Sequence, residues 1–176
     1  MNIVLSSYYK KIIRNHLLLK LKLNKKSFIP EVISINFNVY LDPDNTKYLY
    51  FYNLCVLLWL ITGKGLTVKS YNKNYEKKNI YLNIRLEKEE VYDFIDTFTT
   101  ILLPVFQNYN MPLRLNKFDS VGNYNYQILY ADPVFTAKNV IISWSGMNKI
   151  NVVFFIKSKN KFHSFLLLKY FKFKWY

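Results

Sequence analysis

The sequence has very few of the residues that build metal sites, disulfides and nucleophilic active sites. Its 176 residues include one cysteine, Cys55, and two histidines, His16 and His163. These side chains cannot form a zinc site, and a single cysteine cannot form a disulfide within the chain. Because Cys55 lies in an apolar run, we expect a buried, unreactive thiol. The sequence therefore predicts no metal, no cofactor and no enzymatic activity.

Carboxylates are also few, and four of them cluster between positions 89 and 96. Glu89, Glu90, Asp93 and Asp96 could suggest acid–base catalysis. Neither a histidine nor a set of metal ligands accompanies them, so we interpret them as solvated or helix-capping residues. The same absence disfavours a small nuclease.

Arginine is scarce although the chain is strongly basic. Only three of its 25 basic residues are arginine and 22 are lysine, and the formal net charge is +14. A polyanion would relieve the self-repulsion of such a chain. Lysine is a good point charge but a poor bidentate reader of bases, which favours contact with phosphate. The chain is also rich in Asn, Lys, Ile, Tyr and Phe, the skew of an AT-rich coding sequence and common in organelle genomes.

No hydrophobic run is long enough to cross a membrane as a helix. The longest, at 48–61, is about 14 residues, short of the roughly 18 to 20 that a bilayer requires. It is apolar nearly all round, so we expect a core helix enclosed between other elements. Gly63 then provides a left-handed helix cap.

Hydrophobic periodicity divides the rest of the chain into helices and strands. Helices are predicted at 3–23, 46–61, 87–105 and from 160 onward, and strands at 31–40, 66–71, 80–86, 126–130, 140–144 and 150–157. A turn is predicted at 42–45 and a basic loop at 72–79, and 109–125 is an irregular excursion of the kind that usually binds a partner or is disordered. This order predicts one α+β domain over 1–176, with a mostly antiparallel sheet packed against helices.

A series of short motifs runs along almost the whole chain. In order, the motifs are Tyr8-Tyr9-Lys10, Ile29-Pro30-Glu31-Val32, Ile35-Asn36-Phe37-Asn38, Ile61-Thr62-Gly63-Lys64, Tyr92-Asp93-Phe94, Pro104, Phe118-Asp119, Gly122-Asn123-Tyr124 and Gly146-Met147. Together they resemble one family, large-subunit ribosomal protein L-five (universal uL-five), in its mitochondrial type. The resemblance implies an L-five-like fold in the central protuberance of the large ribosomal subunit. The implied partners are 5S RNA if present, otherwise large-subunit RNA, together with neighbouring ribosomal proteins, the small-subunit head and peptidyl-site transfer RNA.

The resemblance also implies particular RNA-binding residues. Asn38 matches a family asparagine that contacts 5S RNA, Lys64 replaces a glutamine, and Arg85 replaces a threonine. Both replacements add positive charge for phosphate contact. We expect these three residues to share one polar surface, with Lys69 and Lys73 of the basic hairpin as further RNA contacts.

The 118–124 loop is expected to face a neighbouring protein or RNA. Its family-like residues are Phe118, Asp119, Gly122, Asn123 and Tyr124. Val121 replaces a family arginine, and the hairpin at 69–86 is about five residues shorter than in the family. These departures predict that protein partners replace part of the RNA contact.

The predicted function is therefore a non-enzymatic constituent of the large ribosomal subunit that binds ribosomal RNA. We expect it in the mitochondrial matrix, encoded in the organelle, because the family-like start at Tyr8 leaves no room for a cleaved presequence. The alternative is a basic peripheral membrane protein that uses its amphipathic first helix and aromatic tail.

Overall fold

A computed structural model describes residues 3–23, 28–41, 48–74, 77–108, 113–128, 149–173 and 175. Within them, the predicted α+β class with an antiparallel sheet is confirmed. The helices are α1 (Ile3–Tyr8, Tyr9–Ile13 and Arg14–Lys20 in succession), α2 (Tyr48–Thr62), α3 (Glu89–Thr97, Phe98–Leu102 and Leu103–Asn108 in succession) and α4 (Lys161–Tyr170). The strands are β1 (Glu31–Leu41), β2 (Thr67–Asn74), β3 (Lys77–Glu87), β4 (Tyr124–Ile128) and β5 (Ile150–Lys157).

The five strands form one sheet in the order β2-β3-β1-β5-β4, and every neighbouring pair is antiparallel. Alternate residues of each strand point to opposite faces, so one face can be apolar while the other stays polar. In β4 and β5 every second side chain is buried. Strand β1 lies between β3 and β5, so the N-terminal and C-terminal halves of the chain meet in this sheet.

Helix α3 covers the apolar face of the sheet with aromatic side chains. The ring of Phe94 packs edge-on against Phe37 of β1 at 5.0 Å. One turn later, Phe98 contacts Tyr126 of β4 at 5.4 Å and Phe154 of β5 at 5.9 Å. These aromatic contacts hold β1, β4 and β5 in a fixed arrangement. The side chains on the opposite face of the sheet are therefore held in fixed positions as well.

The central stretches of α1 and α3, Tyr9–Ile13 and Phe98–Leu102, are π-helical. Such stretches shift the angular position of the residues that follow them, and they are frequently found at functional sites. In α1 this segment places Tyr9 inward, where its hydroxyl donates to the carbonyl of Pro30 at 2.9 Å. Burial raises the pKa of Tyr9 above its ordinary value, so this tyrosine is a structural donor.

Helix α2 corrects one expectation, since the surrounding described elements do not enclose it. Leu54, Leu57 and Leu58 are buried, but Tyr52 and Trp59 on its outer side are 63% and 56% exposed. Cys55 is only half-buried, although burial still raises the pKa of its thiol, as expected for an unreactive cysteine. Uniform hydrophobicity along a helix therefore does not reveal how many of its sides the fold covers.

The hairpin corrects a second expectation. Strands β2 and β3 run through most of 72–79, where the sequence predicts a loop. Strand β4 begins at Tyr124, two residues before the predicted start. The predicted turn at 42–45, the predicted strand at 140–144 and the Gly146-Met147 motif lie outside the described residues.

Candidate nucleic-acid interface

The face of the sheet opposite the core is polar, and we call it the open sheet face. Its side chains are half-buried or exposed, and they alternate with the buried core residues. On β1, Asn36 and Asn38 lie on this face, between buried neighbours that face the core. The open sheet face comprises Thr67, Tyr81, Asn83, Arg85, Asn36, Asn38, Tyr40, Asn151, Val153, Asn125 and Gln127.

A continuous row of polar residues crosses this face at its middle. Asn38 pairs with Asn83 on one side and with Asn151 on the other. Asn83 in turn pairs with Thr67, and Asn151 pairs with Gln127. Directly paired residues share a face, so the row spans five strands, roughly 19 Å at about 4.8 Å per strand. We call these five residues the amide row.

Asn38 is held in one orientation by its neighbours on β3. Its Oδ1 accepts hydrogen bonds from the Tyr81 hydroxyl and from Asn83 Nδ2, both at 2.6 Å. An asparagine amide also has two N–H donors, and those of Asn38 bond to no other described residue. The fold therefore fixes the acceptor end of Asn38, while its donor end has no partner among the residues that the structure describes.

A pocket of about 500 Å³ lies where the amide row meets the loop before β4. We call it the amide pocket. Its lining includes Asn38 and also Phe118 and Asp119, so the structure brings the predicted RNA-binding asparagine together with part of the predicted partner loop. The lining residues are Asn38, Tyr40, Asn116, Lys117, Phe118, Asp119, Asn125, Tyr126, Gln127, Asn151 and Val153.

Asp119 shapes the loop that forms the outer wall of the amide pocket. Its Oδ1 accepts the backbone N–H groups of Val121, Gly122 and Asn123 at 2.7–2.9 Å, and its Oδ2 accepts Asn123 Nδ2 at 2.8 Å. Burial would raise the pKa of this carboxyl, but the hydrogen bonds outweigh it and hold the pKa below its ordinary value. The carboxylate is thus charged and fully used within the loop.

The rest of the loop packs inward, which changes the interpretation of its motif. Tyr124 is fully buried, Phe118 is 8% exposed, and Asn123 Oδ1 accepts the backbone N–H of Ile156 at 3.0 Å. Gly122 has a positive φ of 101°, and a Cβ there would lie 2.7 Å from Ser164 Oγ. Tyr124 is out of a partner's reach and Phe118 exposes little surface at the amide pocket, so this motif mainly fastens the loop to β5 and α4.

Lys64 and Arg85 lie away from the amide pocket. Lys64 Nζ contacts Glu90 Oε2 at 2.8 Å and the Arg85 carbonyl at 3.1 Å. Arg85 lies opposite Asn36 on the open sheet face, and its Nε contacts Glu87 Oε1 at 2.6 Å. The bond from Lys64 is the main cause that lowers the pKa of Glu90. Acidic partners therefore offset both cations that were expected to meet phosphate.

The remaining predicted RNA contacts are on β2. Lys69 pairs with Tyr81 of β3, and Lys73 lies at an irregularity in the register between Asn72 and Asn74. The side chains of both lysines are outside the described part of the chain.

Sequence reasoning missed most of the amide pocket. It singled out neither Asn151 nor Gln127, although each stands between buried apolar neighbours on its strand. That alternation could have assigned both amides to the outward face. Their meeting with Asn38 depends on the pairing of β1 with β5, which local periodicity does not reveal.

Comparison with known proteins provides evidence on the fold alone. No protein-family model matches the chain, and no curated protein matches it. Among solved structures, the chain is similar to Mth689, a DUF54 protein from Methanothermobacter thermautotrophicus, with a TM-score of 0.51 and 13% identity. The match covers 81% of this chain and 97% of the other. Among the helices described, none is both long and apolar enough to cross a membrane.

Proposed function

We propose that this protein is a structural, non-enzymatic constituent of the large ribosomal subunit, in a mitochondrial ribosome, and that it binds ribosomal RNA through the open sheet face. The observation that carries the proposal is the amide row. A row of amide and hydroxyl groups about 19 Å long suits the hydroxyls and base edges of a broad polar ligand such as RNA. The motif resemblance places the same Asn38 at the RNA contact of the L-five family.

Electrostatics support the same conclusion. The chain carries a formal net charge of +14, which attracts a polyanion over a long range. The amide row itself has no charged member, so general charge would provide affinity while the row provides orientation. The mitochondrial assignment is supported by the residue skew, and 5S RNA or large-subunit RNA is the proposed ligand.

Sedimentation tests this proposal directly. We expect the tagged chain to co-sediment with the large subunit in a density gradient of mitochondrial lysate at low salt. Asn38→Ala should lower that fraction severalfold while leaving the thermal unfolding midpoint within a few degrees, because the half-buried side chain lies on the polar face of the sheet, outside the apolar core. Asn15→Ala on α1 is the matched control, since Asn15 is an exposed asparagine whose amide donates to the Lys11 carbonyl of its own helix. A chain that stays at the top of the gradient while other large-subunit proteins sediment would contradict the proposal.

A membrane surface is the second candidate partner, and one observation favours it. The outer side of α2 exposes Tyr52 and Trp59, the residue types that favour a membrane interface. Binding to anionic liposomes, lost in Trp59→Ser and accompanied by no sedimentation with ribosomes, would establish this alternative. RNA binding would instead be insensitive to Trp59→Ser.

A further inference from the structure

We propose that the amide pocket accepts a single nucleobase that is unpaired and turned out of an RNA helix. The inference rests on the proposed RNA binding and specifies what the RNA presents. The pocket volume of about 500 Å³ is within the roughly 300–1,000 Å³ typical of small-ligand sites. It is a concavity in the open sheet face, and a base that is paired inside an RNA helix is not free to enter such a concavity.

The lining of the pocket matches the chemistry of a base. Five of its side chains are amides: Asn38, Asn116, Asn125, Gln127 and Asn151. Each amide has donors and an acceptor close together, the arrangement by which Asn and Gln hydrogen-bond adenine in pairs. Within the described part of the chain, no side-chain hydrogen bond engages the amides of Asn125, Gln127 or Asn151, and all three line the pocket.

The pocket also offers an aromatic surface. Tyr40 is 65% exposed and lies at one side of the lining. Its ring contacts that of Tyr81 at 5.0 Å between centroids, which supports it in place. Extruded bases in RNA complexes commonly stack on such rings. A base entering the pocket would therefore stack on Tyr40 while its edge contacts the amides.

Charge argues against a phosphate as the group inside. Among the described lining residues, Lys117 is the one cation and Asp119 is the one anion, so their charges balance. The oxygens of Asp119 are occupied by its own loop. A neutral, planar, hydrogen-bonding group fits better than a dianion, and Lys117 can contact the phosphate that flanks the base.

The test uses the full chain and two RNA hairpins of equal length, one with a single unpaired adenosine in its stem and one fully paired. We expect the bulged hairpin to bind about tenfold more tightly, from base stacking on one aromatic side chain. Tyr40→Ala and Gln127→Ala should each reduce this preference severalfold, because they weaken binding of the bulged hairpin much more than binding of the paired hairpin. Tyr40→Phe keeps the ring and should keep the preference, and Asn15→Ala should affect neither hairpin.

The outcomes separate this inference from the proposed function. Equal binding of both hairpins would overturn the base pocket and leave RNA binding standing. A chain that binds neither hairpin and does not sediment with the large subunit would overturn both. If a photo-crosslinker at position 127 captured a ribosomal protein instead of RNA in assembled subunits, the pocket would belong to a protein partner and the inference would be wrong.

Discussion

At the scale of single residues, the strongest local determinant is the carboxylate of Asp119. It accepts four hydrogen bonds within 118–123, three of them from backbone N–H groups. The side-chain oxygen of Asn123 is not available to these donors, because it accepts the backbone N–H of Ile156. One side chain therefore determines the shape of the pocket wall.

Replacing this residue should destabilise the fold and deform the pocket. We expect Asp119→Ala to lower the free energy of unfolding by about 1–3 kcal/mol, since several partly buried donors lose a charged acceptor. Asp119→Asn should cost less, because its oxygen can still accept the backbone N–H groups. Urea unfolding of the three proteins measures both values; an Ala variant as stable as the parent would show that the loop does not depend on this carboxylate.

The lowered pKa of Asp119 predicts the direction of a pH effect. A carboxyl whose pKa is lower in the folded state than in the unfolded state contributes stability that is present above the ordinary aspartate pKa of about 3.9. That contribution is lost as the pH falls through the lowered value. The difference in stability between the parent and Asp119→Asn should therefore shrink as the pH decreases from about 6 to about 3. A difference that grows with acid would have the wrong sign.

At the scale of elements, three glycines separate backbone strain from steric contact. Gly122 combines a positive φ with side-chain hydroxyls less than 3 Å from where a Cβ would stand. Gly63, after α2, has a φ of 66° and nothing within 4 Å. Gly65 has neither feature. Glycine adopts such positive φ angles without the strain that a Cβ causes. Comparing the three positions therefore separates the cost of backbone strain from the cost of a steric contact.

We expect alanine at these positions to destabilise the protein in a fixed order. Gly122→Ala should cost most, about 2–4 kcal/mol, because strain adds to a contact with Ser158 and Ser164. Gly63→Ala should cost about 1 kcal/mol, and Gly65→Ala should be close to neutral. Thermal unfolding gives the ranking, and a Gly65 variant as damaged as the Gly122 variant would contradict this account.

Elements also differ in how far the sequence predicts them. Apolar alternation in β1 and β5 predicts both strands and assigns Asn38 to the outward face, because each strand contributes one face to the core. The hairpin is harder to predict, because lysine and asparagine occur at both odd and even positions of 72–79. The alternation of apolar and polar residues that is typical of a strand is therefore missing. For α2 the difficulty is the reverse, because a segment that is apolar on every side gives no phase from which to identify its covered face.

At the scale of the whole molecule, the site is a product of strand order. The amide row exists because β1 lies between β3 and β5, and the amide pocket because β4 lies beside β5. These pairings join segments far apart in the sequence, and no local pattern contains them. The family resemblance predicted Asn38 as a contact, whereas Asn151 and Gln127 became visible only in the assembled sheet.

The net charge of +14 makes a final prediction for the molecule as a whole. Like charges spread over one small protein repel one another, and ions screen that repulsion. Raising KCl from about 20 mM to about 300 mM shortens the screening length from about 20 Å to about 6 Å, so the unfolding midpoint should rise by a few degrees. The double variant Lys10→Gln, Lys11→Gln removes two exposed charges from α1 and should show a smaller rise.

RNA affinity should fall over the same range, because salt competes for phosphate. Opposite responses to salt, with stability rising and RNA binding weakening, are expected of a protein whose excess charge is neutralised by its nucleic-acid partner; a midpoint that stays constant would show that its charges do not oppose folding.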